Sequence, residues 1–361
     1  MIDKDSFPRA NRVYSTPRGL QLCGDSCEML QYVKDDSVDL IVTSPPFALL
    51  RKKSYGNRDQ ADYVSWLCGF GKAAFTKLRD TGSFVIDLGG SYERGKPVRS
   101  LYNFRVLIEL CDRIGYRFAE DFYWFNPAKL PSPIEWVNRR KIRAKDSVNT
   151  VWWLSKGDWP KADVSRVLTP YSDRMRKLLE DPDAFYSPAK RPSGHDISKG
   201  FGKNGNHGAI PSNLLQIPNT DSNSHYMRTL KALNYERHPA RFPPELPAFF
   251  IKLLTDPGDL VLDIFSGSNT TGIVAESLGR DWLSVDTDRQ YAALGAVRFM
   301  EGMSLPAIQE TIQSIEGGAV AELVPTNLLN LKSCTEKYGI SAMPPKPRRT
   351  STTRMSSKTL F

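Results

Sequence analysis

The chain reads as an α/β protein: a mostly parallel mixed sheet with helices on both faces, plus a smaller loop-rich region. Three observations predict it. Strand-like apolar runs alternate with amphipathic helices over residues 18–157 and again over 237–304, the pattern of parallel strands joined by helical crossovers. The stretch "VLDIFSGSNTTG" has the form strand, tight turn, helix. Between the two blocks, residues 158–236 lose apolar periodicity and fill with Gly, Asn, Ser, Pro, Lys and His. Such a segment is either a disordered insertion or a loop-rich module ordered on a polar partner. A length of 361 residues allows one large domain or two modest ones, and 40% hydrophobic with 25% charged residues is the balance of an ordinary soluble protein.

The elements follow in order. Residues 1–17 form an N-terminal arm; "MIDKDSFPRANRVYS" carries acids and no apolar core, so it is not a signal peptide. No apolar run approaches the ~20 residues of a membrane span, which makes the cytoplasm the expected location and excludes a membrane partner. "GLQLCGDSCEML" reads as a short strand and a turn, and "SVDLIVT" as a buried strand. That strand stops at Pro45 and Pro46, which have no N–H and fix their own φ, so the chain is rigid where the strand ends. "ADYVSWLCGFGKAAFTKL" is an amphipathic helix with Tyr63, Trp66, Leu67 and Phe70 on one stripe. "GSFVIDLGG" is a strand bounded by glycines, and "LYNFRVLIELCDRIG" a helix ending at Gly115. "YRFAEDFYWF" and "NTVWWLS" are strands that close the first block. Regular texture returns with a helix from Pro244 to about Leu254, a strand Leu260–Phe265, a helix Thr271–Leu278 and a strand Trp282–Asp286. Residues 305–361 hold one weak helix and then a basic, Pro/Ser/Thr-rich tail expected to be disordered.

The second block carries a nucleoside-site pattern. Gly267 gives the backbone room to turn and to approach a ligand, while Thr270 and Thr271 stand at a helix N-terminus whose free N–H groups face carboxylates and phosphates. Asp263 ends the first strand and Asp286 the next, where an acid commonly binds ribose hydroxyls. There is no GxGxxG and no Gly-Lys-Ser/Thr, so a dinucleotide or triphosphate fits poorly. S-adenosylmethionine, with ribose and adenine but no phosphate, fits better; a plain βαβ unit packed on glycine is the bland alternative.

Taken together, the quoted segments resemble the amino-group DNA methyltransferases of the β group. Ser44-Pro45-Pro46-Phe47 is similar to the catalytic tetrad of the cytosine-N4 members, and "DIFSGSNTTG" to their S-adenosylmethionine motif, in the permuted order with the catalytic motif first. "GDSCEML", "SFVIDLGGSY" and "HPARFPPELPAFFIKLL" match in the same order. The resemblance implies a seven-stranded sheet with one antiparallel strand. It implies a catalytic half over 18–157, a target-recognition region over 158–236 and a cofactor-binding half over 237–304. It also implies that Phe265, Ser266, Gly267, Ser268, Asn269, Thr270, Thr271 and Asp263 belong to the cofactor motif, with Asp286 on the ribose. Asp25 would lie near the adenine amino group, and Arg241, Phe242 and Pro243 near the methionine end. Asn269 departs from the glycine of many relatives, but Asn tolerates turn conformations.

The prolines then acquire a chemical reason. The exocyclic amine of cytosine is a poor nucleophile because its lone pair is delocalised into the ring. Two acceptors aimed at its N–H bonds, the Ser44 hydroxyl and the Pro45 carbonyl, favour a more pyramidal nitrogen, and Phe47 offers a face for stacking. A base inside a duplex must be extruded to reach such a site. The net charge of +9 fits double-stranded DNA as partner. Arg51, Lys52 and Lys53 beside the tetrad, Arg139, Arg140, Lys141 and Arg143 in "RRKIRAK", and Lys199 and Lys203 in the loop-rich region are the expected DNA contacts. A restriction endonuclease acting on the same sequence, without a stable complex, is the implied companion.

Three rivals remain. Adenine-N6 methylation shares fold and cofactor but usually has Asp or Asn first and Tyr last in the tetrad. A catalytically silent DNA-binding relative would not need an intact tetrad with Asp263 and Asp286. An NAD-dependent oxidoreductase lacks its glycine fingerprint here. Cytosine-C5 methylation is excluded, because none of the five cysteines follows a proline. Those cysteines, scattered at 23, 27, 68, 111 and 334, read as reduced thiols, and no metal site is expected.

Overall fold

The apolar runs pair into a single ten-stranded sheet. The computed structural model describes residues 2–48, 60–181, 208–220 and 223–328. Its strands are β1 (Arg12–Ser15), β2 (Gly19–Cys23), β3 (Val38–Thr43), β4 (Leu78–Leu88), β5 (Arg117–Phe125), β6 (Val148–Ser155), β7 (Leu214–Gln216), β8 (Leu260–Asp263), β9 (Asp281–Asp286) and β10 (Ala321–Glu322). They lie in the order β10-β1-β2-β9-β8-β3-β4-β6-β5-β7. Neighbours from β2 through β4 are parallel, and β6 runs antiparallel to both β4 and β5. The seven strands from β2 to β5 in that order therefore contain one reversed strand, as the resemblance implied.

Three short strands extend the expected seven. β1 pairs antiparallel with β2 through a turn in which Thr16 and Gly19 exchange backbone hydrogen bonds. The N-terminal arm is thus partly built into the sheet, where Tyr14 is fully buried against Trp282 and Phe299. β10 pairs with β1, and β7, from the loop-rich region, adds parallel to β5.

Helices cover both faces because the strands alternate. On β3, Leu40 and Val42 point to one face and Ile41 to the other. The first face packs against α6 (Glu245–Leu254), α7 (Thr270–Ser277), α8 (Arg289–Gly295) and α9 (Leu305–Glu316), which contribute Phe250, Ile273, Ala292 and Ile308. The second packs against α1 (Ser26–Met29), α2 (Gln60–Lys77) and α3 (Tyr102–Glu109) through Met29, Tyr63, Leu67 and Val106. α3 continues into a wide turn that closes on Gly115, whose φ of 103° is the left-handed conformation expected of a helix stop. The loop-rich region also supplies α4 (Asp173–Glu180) and α5 (His225–Ala232); α5 is docked by Tyr226, Met227 and Leu230 into the first core. Arg51, Lys52, Lys53, Lys199 and Lys203 lie outside the described residues, as do the basic tail and Cys334.

Parallel strands bring their carboxyl ends to one edge. Cys23, Thr43, Leu88, Asp263 and Asp286 close β2, β3, β4, β8 and β9 there, and reversed β6 begins there with Val148 and Asn149. Ligand sites of open α/β sheets lie at such an edge.

The seam between β2 and β9 is tightly filled. A Cβ on Gly19 would stand 2.0 Å from the Trp282 indole, whose Nε1 donates to buried Glu276 at 2.6 Å. Gly19→Ala is therefore expected to destabilise the fold by about 1–3 kcal/mol through overpacking, read as a lower urea midpoint.

Candidate functional site

The site is assembled by one buried carboxylate. Asp263, 1% exposed at the end of β8, accepts from Thr43 Oγ1 at 2.7 Å, from Thr271 Oγ1 at 2.6 Å and from the Phe265 N–H at 3.1 Å. Thr43 is the last residue of β3 and directly precedes the tetrad, whereas Thr271 sits in the first turn of α7. Both oxygens are consumed inside the protein, so Asp263 joins the two motifs and does not reach the cavity between them. Burial raises its pKa to about 6 against those hydrogen bonds.

On the tetrad side, Ser44 Oγ donates to Asp87 Oδ2 at 3.0 Å, and Asn149 Nδ2 donates to Asp87 Oδ1 at 3.2 Å. Asp87 lies near the end of β4 at 5% exposure, and burial pushes its pKa up to about 6. With its hydrogen directed at the carboxylate, the serine hydroxyl turns lone pairs towards the cavity. Phe47 lies against the backbone of Gly89: a Cβ there would stand 2.5 Å from the ring. Tyr102 holds that turn by donating its hydroxyl to the Gly89 carbonyl.

On the cofactor side, Gly267 takes a left-handed φ of 49° and donates its N–H to Asp286 Oδ2 at 2.7 Å. The other Asp286 oxygen accepts from the Asp288 N–H at 2.9 Å. Burial raises the Asp286 pKa to about 6. Asn269 is left-handed too, with φ 53°; it is fully buried, accepts from Gly272 N and Ser284 Oγ and donates to Tyr14. Its side chain caps α7 in addition to permitting the turn. Arg298 donates to Ser268 O at 2.7 Å and to Ser268 Oγ at 3.0 Å, which fixes the loop from behind.

Between the two sides lies a cavity of about 1090 Å³. Ser44, Pro45, Pro46 and Phe47 line one part, and Asp25, Phe265, Ser266, Gly267, Ser268, Thr270, Asp286, Arg241 and Phe242 another. Phe265 packs against Phe70 and Trp66, with ring centroids 4.9 and 5.6 Å away, giving that end an apolar wall. Asp25 lines the cavity while also capping α1 through the N–H groups of Cys27 and Glu28.

Four residues expected at the cofactor do not line the cavity. Asp263 and Asn269 are buried by the bonds described, Thr271 is turned to Asp263, and Pro243 is buried at the entry of α6, where its carbonyl accepts from Leu246. Arg139, Arg140, Lys141 and Arg143 are exposed on the segment joining β5 to β6, outside the cavity lining. Arg139 and Arg140 pair with Glu135, and Arg143 donates to the Pro97 carbonyl. Conversely, Asp87, Asn149, Lys129, Asn126, Asn219 and His238 line the cavity without having been singled out. Asp87 had a readable signal: a carboxylate inside the apolar run "SFVIDLGG" requires a partner. His238 packs over Gly267 and meets Tyr291 edge-on at 4.5 Å.

An open parallel sheet with an acid-flanked glycine turn and a proline-rigid loop at its carboxyl edge defines a methyltransferase of the permuted kind. Residues 38–297 match the DNA methylase family model, and the chain belongs to that family. It is 58% identical over 288 residues to the type II methyltransferase M.PvuII of Proteus hauseri, covering 80% of this chain and 85% of that protein. It is 41% identical over 298 residues to the type II methyltransferase M.XycI of Xanthomonas campestris pv. cyanopsidis, covering 76% and 85%. Among solved structures, PvuII DNA methyltransferase (cytosine-N4-specific) superposes with a TM-score of 0.71 at 46% identity, covering 86% of this chain and 97% of that one.

The contact between Phe47 and Gly89 makes a distinct expectation. Gly89→Ala should displace the ring and slow single-turnover methyl transfer by about 10²-fold, the scale of a misplaced reacting group. Cofactor affinity, measured by calorimetric titration, should stay within about twofold, because the displaced ring lies on the tetrad side.

Proposed function

We propose that the protein transfers a methyl group from S-adenosyl-L-methionine to N4 of a cytosine extruded from duplex DNA. In this reading it acts in the cytoplasm and protects a specific sequence from a companion restriction endonuclease. The hydrogen bond from Ser44 to Asp87 carries the reading, because it makes the tetrad serine an acceptor facing the cavity. The cytosine-N4 specificity of the PvuII enzyme supports cytosine N4 over adenine N6.

The donor set fits the cofactor. Asp286 at the cavity wall suits ribose hydroxyls, the Ser266–Thr270 turn at the start of α7 suits a carboxylate, and Phe265 with its aromatic neighbours suits an adenine face. When bound, S-adenosylmethionine supplies an electrophilic sulfonium methyl. The chain's own residues do the rest. Ser44 Oγ and the Pro45 carbonyl accept the two amine hydrogens and hold the nitrogen pyramidal. Phe47 stacks on the base, contributing roughly 1–3 kcal/mol towards its extrusion. Asp87, one hydroxyl removed from the amine, supports the serine and can take the proton that nitrogen releases. In residues 158–236, Asn219 reaches the cavity, and this region is assigned the reading of sequence.

Mapping methylated bases in DNA from cells expressing the protein tests the reading directly. N4-methylcytosine at one recurring sequence is expected; N6-methyladenine would overturn it. Ser44→Ala should lower the single-turnover rate by about 2–4 kcal/mol of barrier with cofactor affinity retained, whereas Asp286→Ala should weaken cofactor binding first. The rate at saturating cofactor should fall as pH drops through about 6, where Asp87 gains a proton and can no longer take the one that the amine releases through Ser44. A rate that stays flat down to pH 5 would remove Asp87 from the mechanism.

A further inference from the structure

We propose that Leu130 enters the duplex at the position vacated by the extruded base; this rests on the reading of the site given above. Leu130 is 80% exposed, and its chain neighbour Lys129 lines the cavity. A single exposed aliphatic side chain is ordinary on a protein surface; what distinguishes this one is that it adjoins the catalytic cavity and sits on a cationic segment.

The segment that presents it is well braced. Asn126 N–H donates to Ser147 O at 2.9 Å, and Asp146 N–H donates to Ser132 O at 3.0 Å, so the two arms of the segment are tied together. Lys145 Nζ donates to the carbonyls of Pro127 and Lys129 at 3.1 and 3.3 Å, which ties down the backbone that leads into Leu130. The side chain of Asn126 accepts from the Ala128 N–H at 3.1 Å, which shapes the turn below it. Leu130 therefore projects from a pinned turn, flanked by Pro131, and can act as a wedge without first being ordered.

The charge around it selects the partner. Residues 126–147 carry Lys129, Arg139, Arg140, Lys141, Arg143 and Lys145 against Glu135 and Asp146. An apolar tip on a cationic segment suits a polyanion with an apolar interior, and a stacked duplex has that character. Extruding a base leaves a gap in the stack, and an inserted aliphatic side chain restores contacts on both sides of it. The position is consistent with that act: a base that enters between Ser44 and Lys129 leaves its gap beside the rim. Trp159 is still more exposed, at 87%, but it follows the end of β6 that pairs with the start of the buried part of β4, away from the carboxyl edge. Exposure alone therefore does not single out Leu130; the adjoining cavity does.

The test uses the full chain and a duplex bearing the methylation site mapped from cells, with 2-aminopurine at the target position to report unstacking. Leu130→Ala should cut the fluorescence rise on binding and slow single-turnover methylation of the normal duplex by about tenfold or more. Cofactor affinity should not change, since the side chain lies outside the cofactor contacts. Placing an abasic site opposite the target cytosine lowers the work of extrusion, and there the variant should come within about twofold of the parent chain. Leu130→Met should retain most of the rate, and Trp159→Ala all of it. Equal defects of Leu130→Ala on normal and abasic duplexes, or no defect on either, would overturn the proposal. A parent chain that does not methylate cytosine at all would instead overturn the reading of the site.

Discussion

The geometry depends first on the Asp263 carboxylate. Thr43 and Asp263 are separated by 220 positions along the chain, yet their side chains meet at 2.7 Å. They can do so because β3 and β8 are parallel neighbours, with Leu40 opposite Val261 and Ile41 opposite Leu262, so both strands stop at the same level. The carboxylate then bonds the first turn of α7 with its other oxygen. Two strands and a helix are thereby locked at the point where the tetrad and the glycine turn diverge. A network of this kind is strong when every member is satisfied and costly when one is removed. The permuted order of motifs is physically harmless for the same reason: the sheet joins strands by pairing, and their order along the chain does not enter.

Three carboxylates share this edge, and burial raises each of them to a pKa of about 6: Asp87, Asp263 and Asp286. Each native pKa lies above its unfolded value, so each favours the folded state below the ordinary carboxylate pKa. That advantage is lost as pH rises through about 6. Near neutral pH the folded protein holds charges it would hold more comfortably unfolded. The hydrogen bonds from Thr43, Thr271, Ser44, Asn149 and the Gly267 and Asp288 amides offset part of that cost. Asp263 converts it into register, Asp87 into orientation of a hydroxyl, and Asp286 into an acceptor at the cavity wall.

What the sequence revealed, and what it hid, follows from this arrangement. Strands and helices with long apolar patterns were legible, and so was the left-handed turn at Asn269, because local chemistry decides them. β1 and β10, with four and two residues, were not, since strands so short carry no periodicity. Asp263 was legible as an acid at a strand end but not as an inward tie, because composition does not say which way a side chain points. Asp87 and Asn149 come from two strands that pair across the sheet, and only the topology places them on either side of one hydrogen-bonding system. Lys129 and Asn126 were hidden for a related reason: the closeness of the segment after β5 to the cavity depends on where β5 ends.

The loop-rich region is tied both to the core and to the cavity. Leu215, Tyr226, Met227 and Leu230 bury it in the core shared with α6 and α8, so part of it is scaffold. Arg298 lies with its guanidinium 4.3 Å from the Tyr226 ring centre while bonding Ser268, so the docked helix α5 also backs the cofactor turn. Asn219 reaches the cavity, its backbone N–H donates to Asn126 Oδ1, and its side chain donates to the Arg241 carbonyl. Exchange of the whole region between relatives would therefore disturb the glycine turn that Arg298 holds. The tie through Asp263 does not pass through this region, because its partners Thr43, Phe265 and Thr271 all lie in the two flanking blocks, so the meeting of the tetrad and the glycine turn is set by the sheet and α7 alone.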